Sequence, residues 1–284
     1  AIHPYGRIRK DGTVSFRFND GSAPAYWTEP IRIAHDLGMK ICIKPHLAHW
    51  RSGFSWRGEI AFEKSEEWER FWKEYAAWIT ALAEACKAAD LFVVGTELDR
   101  TVQHEAEWRD LIRQVRERTE APITFASNWD AFEKVPFWDA LDLVGIQSYF
   151  PISNEPNPSR QELEAGWASL AKRLAFFSER VGKKIILTEL GYNQSFSAAS
   201  KPWTYAVDAE AESLQLRCMS VALNTIASES AIVGSFLWKW FPEPRPVGRN
   251  FQLATVRMRV VIREAWKETE RVRRSKEGQP EPGD

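Results

Sequence analysis

Six short apolar runs, each followed by a longer amphipathic stretch, constrain this chain more than any other feature. "KICIKPH" (40–46), "LFVVGTE" (91–97), "PITFASN" (122–128), "LDLVGIQSY" (141–149), "KIILTE" (184–189) and "IVGSFLWKW" (232–240) read as strands, and "AIHPY" at the start reads as the end of another. The stretches between them have helical period and readable ends. "SEEWERFWKEYAAWITALAEAC" opens on a Ser cap and an acidic first turn, then spaces Trp68, Phe71, Trp72, Tyr75, Trp78, Ile79 and Leu82 along one face. Ser159 and Glu162 form a capping-box pattern, and Gly182 marks the stop of that helix. Further helices fit 29–37, 104–118, 208–228 and 255–267.

Strand and helix in alternation mean a parallel sheet covered by helices. With 284 residues and 44% apolar content, one large domain over 1–266 is expected. A (β/α)8 TIM barrel fits six or seven serial units without a polar linker. An open doubly wound sheet is the alternative, since periodicity does not show closure. Residues 267–284, "KETERVRRSKEGQPEPGD", are charged and end in Pro and Gly, which predicts a disordered tail.

The formal charge of −1, with both signs intermixed, supplies no field for nucleic acid or an anionic membrane. No run approaches the roughly 20 apolar residues of a membrane span, and no signal peptide opens the chain. Cys42, Cys86 and Cys218 lack a CxxC spacing and read as buried thiols. No GxSxG elbow, GxxxxGK[ST] loop or GxGxxG turn is present, so serine-hydrolase, P-loop and Rossmann chemistries lack their defining parts.

In parallel barrels the carboxyl ends of the strands carry the site. Those ends hold His46, Glu97, Asn128, Tyr149, Glu189 and Trp238. Each alone has a structural explanation, such as a helix cap or an Asx-turn. Glu97 and Glu189 together say more, because "VGTEL" and "LTELGY" repeat one pattern of apolar strand, Thr, Glu and Leu. Two carboxylates are what glycoside hydrolysis uses, one protonating the departing oxygen and the other attacking or positioning water. Tyr149, donating to the nucleophile, would hold its anionic form.

Fourteen tryptophans add to this. Trp68, Trp72, Trp78, Trp108 and Trp167 lie on helix stripes and are expected to pack. Trp50, Trp56, Trp129, Trp203, Trp238 and Trp240 fall in or beside strand-end loops, where a ring face suits either a pyranose or a protein core. In the loop "HLAHWRSGFSWRGE", His46, His49 and Glu59 offer metal-ligand atoms, but the spacing is not HExxH and no metal is expected. Trp50, Trp56, Arg57 and Glu59 are better suited to lining a cleft with stacking surfaces and hydrogen-bonding groups.

"HPYGRIRKDG", "KICIKPHL", "WRGEIAF", "FVVGTEL", "SNWDAFEKVPFWDALDLVGIQSYFP", "ILTELGY" and "SFLWKWFP" together resemble glycoside hydrolase family 113, the (β/α)8-barrel β-mannanases, over residues 1 to about 262. The resemblance implies a retaining, endo-acting enzyme on β-1,4-linked mannose polymers, working without a cofactor. By position, Glu97 would be the acid/base and Glu189 the nucleophile. Tyr149 would hydrogen-bond the nucleophile, and Trp238 would floor the reacting sugar's subsite. His46 and Asn128 would be substrate-side polar residues; apart from the resemblance, Trp50, Trp56, Arg57, Trp129 and Tyr192, in or beside the strand-end loops, are also expected to contact substrate.

Two departures from the pattern stand out. Thr96 occupies the place where many related enzymes carry Asn before the acid/base. "AIHPYG" resembles the end of the family's second strand, which implies a barrel incomplete at its N-terminus, with marginal stability, edge-to-edge association or a rearranged start that fills the gap. The rival from another class is a non-catalytic carbohydrate-binding barrel. A metal-dependent barrel hydrolase is a third reading, which chelation would expose.

Overall fold

The structure, a computed structural model, describes residues 1–17, 23–240 and 251–277, with side chains as far as Arg271. It comprises two compact units, Ala1–Gly145 and Ile146–Asp284. In chain order the first unit carries β1 (Tyr5–Ile8), β2 (Val14–Ser15), α1 (Ala25–Asp36), β3 (Cys42–Ile43), β4 (His46–Ala48), α2 (Ser65–Ala85), β5 (Leu91–Thr96), α3 (Glu105–Arg116) and β6 (Ile123–Asn128). β7 (Val144–Ser148) spans the boundary. The second unit carries α4 (Arg160–Val181), β8 (Ile185–Leu190), α5 (Glu212–Ser228), β9 (Ile232–Leu237) and α6 (Val256–Glu277).

Parallel pairing organises both units. In the first, Cys42 pairs with Leu91 and Phe92 with Ile123, so β3, β5 and β6 lie side by side in chain order. Every residue of β5 and β6 is buried, as continuous apolar strands covered on both faces should be. In the second, β8 and β9 pair in parallel from Ile185 and Ile232 onward. All six strands read from the sequence are present. The "KICIKPH" run is interrupted, giving β3 and then β4.

The N-terminal run forms more than a strand end. Ile2 bridges Ile43, Tyr5 to Arg7 pair in parallel with His46 to Ala48, and β1 also pairs with β2 in an antiparallel hairpin.

Most helix ends follow the sequence. In α4 the Ser159 hydroxyl accepts the Glu162 N–H at 3.2 Å, and the Glu162 carboxylate accepts the Ser159 N–H at 2.7 Å. Gly182 closes the helix at φ 67°, a backbone angle that other residues adopt at a cost. Three ends differ from expectation. Ser65 is the first residue of α2 rather than its cap. α1 begins at Ala25, a turn before the expected start, and carries Pro30 inside, because Trp27, Ile31 and Ala34 together form its buried stripe. α6 runs through Lys267 to Glu277, where disorder is expected, with Glu264–Lys267 and Glu268–Arg271 ion pairs along it. Residues 278–284 of the expected tail lie outside the described residues.

The helix-stripe tryptophans behave as core residues. Trp72, Trp78, Trp108 and Trp167 are buried and Trp68 is half-buried. All three cysteines are free and buried. Among the described residues no helix is long and apolar enough to cross a membrane.

Candidate active site

In the first unit the site residues gather around the ends of β4, β5 and β6. Glu97 stands one residue past β5 with φ 55°, a left-handed backbone rare for a residue with a side chain. Its N–H donates to the Ala126 carbonyl at 2.9 Å, which ties this turn to β6. The register between β5 and β6 shifts between Val93 and Thr96, and a short 3-10 turn begins at Asp99, so the chain leaves the sheet abruptly at Glu97.

Arg57 is bound to Glu97. Its Nη1 donates to Glu97 Oε2, and its Nε donates to the Leu47 carbonyl at 3.2 Å. Both side chains are largely buried, at 12% and 20% exposure, so this charge-assisted bond is better shielded than a surface pair. Arg57 thus holds a carboxylate, where the sequence suggests a residue facing substrate. Glu59 is likewise engaged locally, accepting from the Ser55 N–H and hydroxyl at 3.2 and 2.5 Å.

Asn128, at the end of β6, turns its amide to Asp99 and donates to both carboxylate oxygens at 3.2 and 3.0 Å. Burial pushes the Asp99 carboxyl from its usual 3.8 up to about 6; Asn128 opposes the shift, while the neighbouring charges of Glu97 and Asp130 add to it. Sequence reasoning passed over Asp99, although it lies two residues beyond Glu97. His46 is 2% exposed, and burial lowers its pKa well below the ordinary value, so it is a neutral imidazole at neutral pH. Its ring packs near those of His3 and Tyr5. Trp56 is 37% exposed, Trp50 66% exposed and Trp129 half-buried, which leaves ring surface open at all three.

The second unit holds its carboxylate differently. Glu189 lies within β8, 6% exposed, and the Tyr149 hydroxyl donates to its Oε2 at 2.5 Å. Trp238 follows β9, and its N–H donates to the Leu190 carbonyl at 2.8 Å. A β-carbon on Gly191 would stand 2.1 Å from the Trp238 carbonyl oxygen, so the glycine of "TELGY" is what allows the end of β9 to close on β8. Lys239, also passed over in the sequence, has its pKa lowered by burial and drawn back up by the charge of Glu189. Its ammonium lies 5.3 Å from the centre of the Trp238 ring.

Tyr192 corrects a sequence expectation. It is 1% exposed, and its hydroxyl accepts the Trp167 indole N–H at 3.0 Å. The ring therefore belongs to the packing behind the strand end, where its bulk is most favourably buried, rather than to a substrate-facing surface.

The sequence model of glycoside hydrolase family 113 matches residues 10–247. The chain belongs to this family. Among solved structures, it is 26% identical to the family 113 β-mannanase AaManA from Alicyclobacillus acidocaldarius, determined in complex with ManMIm, with a TM-score of 0.76 over 93% of this chain and 85% of that one. A second family 113 enzyme, a β-1,4-mannanase, is 20% identical, with a TM-score of 0.76 over 93% of this chain and 86% of the other. A β-glucuronidase from Ruminococcus gnavus shares the fold at 14% identity, with a TM-score of 0.57, and 45% of its length is covered. No curated protein matches the chain. The family 113 chain thus has the (β/α)8-barrel fold and is a glycoside hydrolase, with a carbohydrate as its substrate.

Proposed function

We propose that this family 113 chain is a retaining endo-glycoside hydrolase that cleaves β-1,4-linked mannose-containing poly- and oligosaccharides by double displacement. The observation that carries the reading is the Tyr149–Glu189 hydrogen bond at the end of β8. A buried carboxylate fixed by a short phenolic bond keeps one oxygen oriented and its charge stabilised, as a nucleophile requires.

In the first step a Glu189 oxygen attacks the anomeric carbon while Glu97 gives its proton to the departing glycosidic oxygen. The C–O bond to the leaving sugar breaks as the bond to Glu189 forms. In the second step Glu97, now a carboxylate, takes a proton from water, the hydroxyl attacks the anomeric carbon, and Glu189 departs as the free carboxylate. Retention follows from two inversions and requires the carboxyl groups to lie about 5–5.5 Å apart in the productive state. Trp238 offers its ring face to the reacting sugar. The AaManA and β-1,4-mannanase structures support mannan as the substrate class.

Product analysis by mass spectrometry with β-1,4-mannohexaose tests this directly. The parent protein should release shorter oligosaccharides and the Glu189→Gln variant none. Cleavage by both, or a product of inverted anomeric configuration by NMR, would overturn the mechanism.

A further inference from the structure

Between β4 and α2 the chain makes a tight turn whose geometry opposes packing. Arg51 has φ 65°, an angle a non-glycine residue holds only when its surroundings impose it. The surroundings here are explicit. The Ser52 N–H and hydroxyl both donate to the His49 carbonyl, at 3.0 and 2.5 Å, and the Ser52 hydroxyl accepts the Phe54 N–H at 3.2 Å. Ser52 is buried, whereas Trp50 is left 66% exposed. A strained, pinned turn that keeps a large ring in water is better suited to binding than to core stability.

Trp50 is accompanied by a second exposed ring. Tyr5, 43% exposed, lies with its ring centre 5.6 Å from that of Trp50 and the planes inclined at 31°. Tyr5 is held in place by the parallel pairing of β1 with β4, where it lies opposite His46. One ring is held by the strand that pairs with β4 and the other by the pinned turn that follows β4, and together they form one aromatic surface. Beside it, 6.1 Å from the Trp50 ring, is the imidazole of His49. Its Nδ1 is buried without a hydrogen-bond partner among the described residues, and burial lowers the ring's pKa, leaving it neutral.

We propose that Tyr5, Trp50 and His49 form a subsite for a further pyranose ring of the substrate, apart from the sugar that undergoes cleavage. The proposal rests on the mannan reading above. The C–H face of the sugar covers the Tyr5 and Trp50 rings, and the His49 imidazole borders that surface beside Trp50. Arg57 links this loop to Glu97, since it donates to Leu47 at the base of the turn as well as to the carboxylate. The subsite thus contributes to longer chains what shorter ones cannot use.

The test compares β-1,4-mannohexaose with mannotriose on the full chain carrying Trp50→Ala, Tyr5→Ala or the ring-retaining Trp50→Phe, each checked for an unchanged circular-dichroism melt. Trp50→Ala and Tyr5→Ala should each lower kcat/KM for the hexaose by about tenfold, mostly through KM, and that for the triose by less than about twofold. Trp50→Phe should retain most of the preference for the longer chain. Equal losses on both substrates, or none on the hexaose, overturn the subsite. The mannan reading is checked separately by the Glu189→Gln control: a parent that cleaves while Trp50→Ala is silent loses only the subsite, and a parent that neither cleaves nor binds hexaose loses both.

Discussion

Glu97 and Glu189 close stretches of nearly the same sequence, yet the chain holds them in different ways. Glu189 remains within its strand, 6% exposed, in regular backbone, with a phenolic hydroxyl on one oxygen. Glu97 has left its strand, sits at φ 55°, and keeps a fifth of its side chain open while a guanidinium holds it. The difference begins after the shared Thr-Glu-Leu. "LDRT" enters a 3-10 turn at once, whereas "LGY" lets β9 close over the strand end. Under the proposed roles the contrast is physical sense: a nucleophile gains from one fixed orientation, while a proton carrier must meet a leaving oxygen and later a water.

The largest effects should separate the two carboxylates. Glu189→Gln should lower kcat on mannohexaose by at least about a thousandfold, whatever the leaving group. Glu97→Gln should cost about 10²–10⁴-fold on the same substrate, and much less on an aryl mannoside whose leaving group needs no proton. Steady-state kinetics with both substrates checks this, and equal losses on the two would erase the distinction.

Asp99 offers the next contrast, in stability. Its raised folded-state value means that the native chain holds this proton more tightly than the unfolded chain between about pH 4 and 6. Its contribution is therefore most favourable below about pH 4 and declines as pH rises to 6, by about 3 kcal/mol if the full shift is expressed. Asp99→Asn should flatten that decline and raise stability at pH 7. Urea unfolding of parent and variant across pH 4–7 measures it, and parallel curves would count against it.

Tyr149→Phe tests what fixes Glu189. Loss of a hydrogen bond to a charged group should lower kcat by about ten- to a hundredfold with little change in melting temperature. A smaller kinetic loss would show that burial alone orients the carboxylate.

Much of the fold was legible because it depends on local pattern. Strands β5 to β9 follow apolar runs, and α4 begins and ends at its own capping residues. Where a buried stripe extended an element, as with Trp27 drawing the start of α1 back from the expected residue 29 to Ala25, the local pattern fell short. The candidate site was legible as a set of strand-end residues, including the Tyr149–Glu189 contact. Partnerships that span loops were not. Nothing local links Arg57 to Glu97, Asp99 to Asn128, or Tyr5 to Trp50, because each pair meets only once strands are in register. Tyr192 was misread for the same reason, since its partner Trp167 lies on α4.

The left-handed backbone at Glu97 limits how this protein can be improved. Glycine or asparagine would occupy that conformation with less strain, so a search for thermostable variants guided by backbone preference would favour replacing this residue. Under the role proposed for Glu97, neither replacement has an acid to give. On that role, the position is one where a more durable molecule and a working one are different sequences, and directed evolution for heat tolerance should be screened on turnover from its first round.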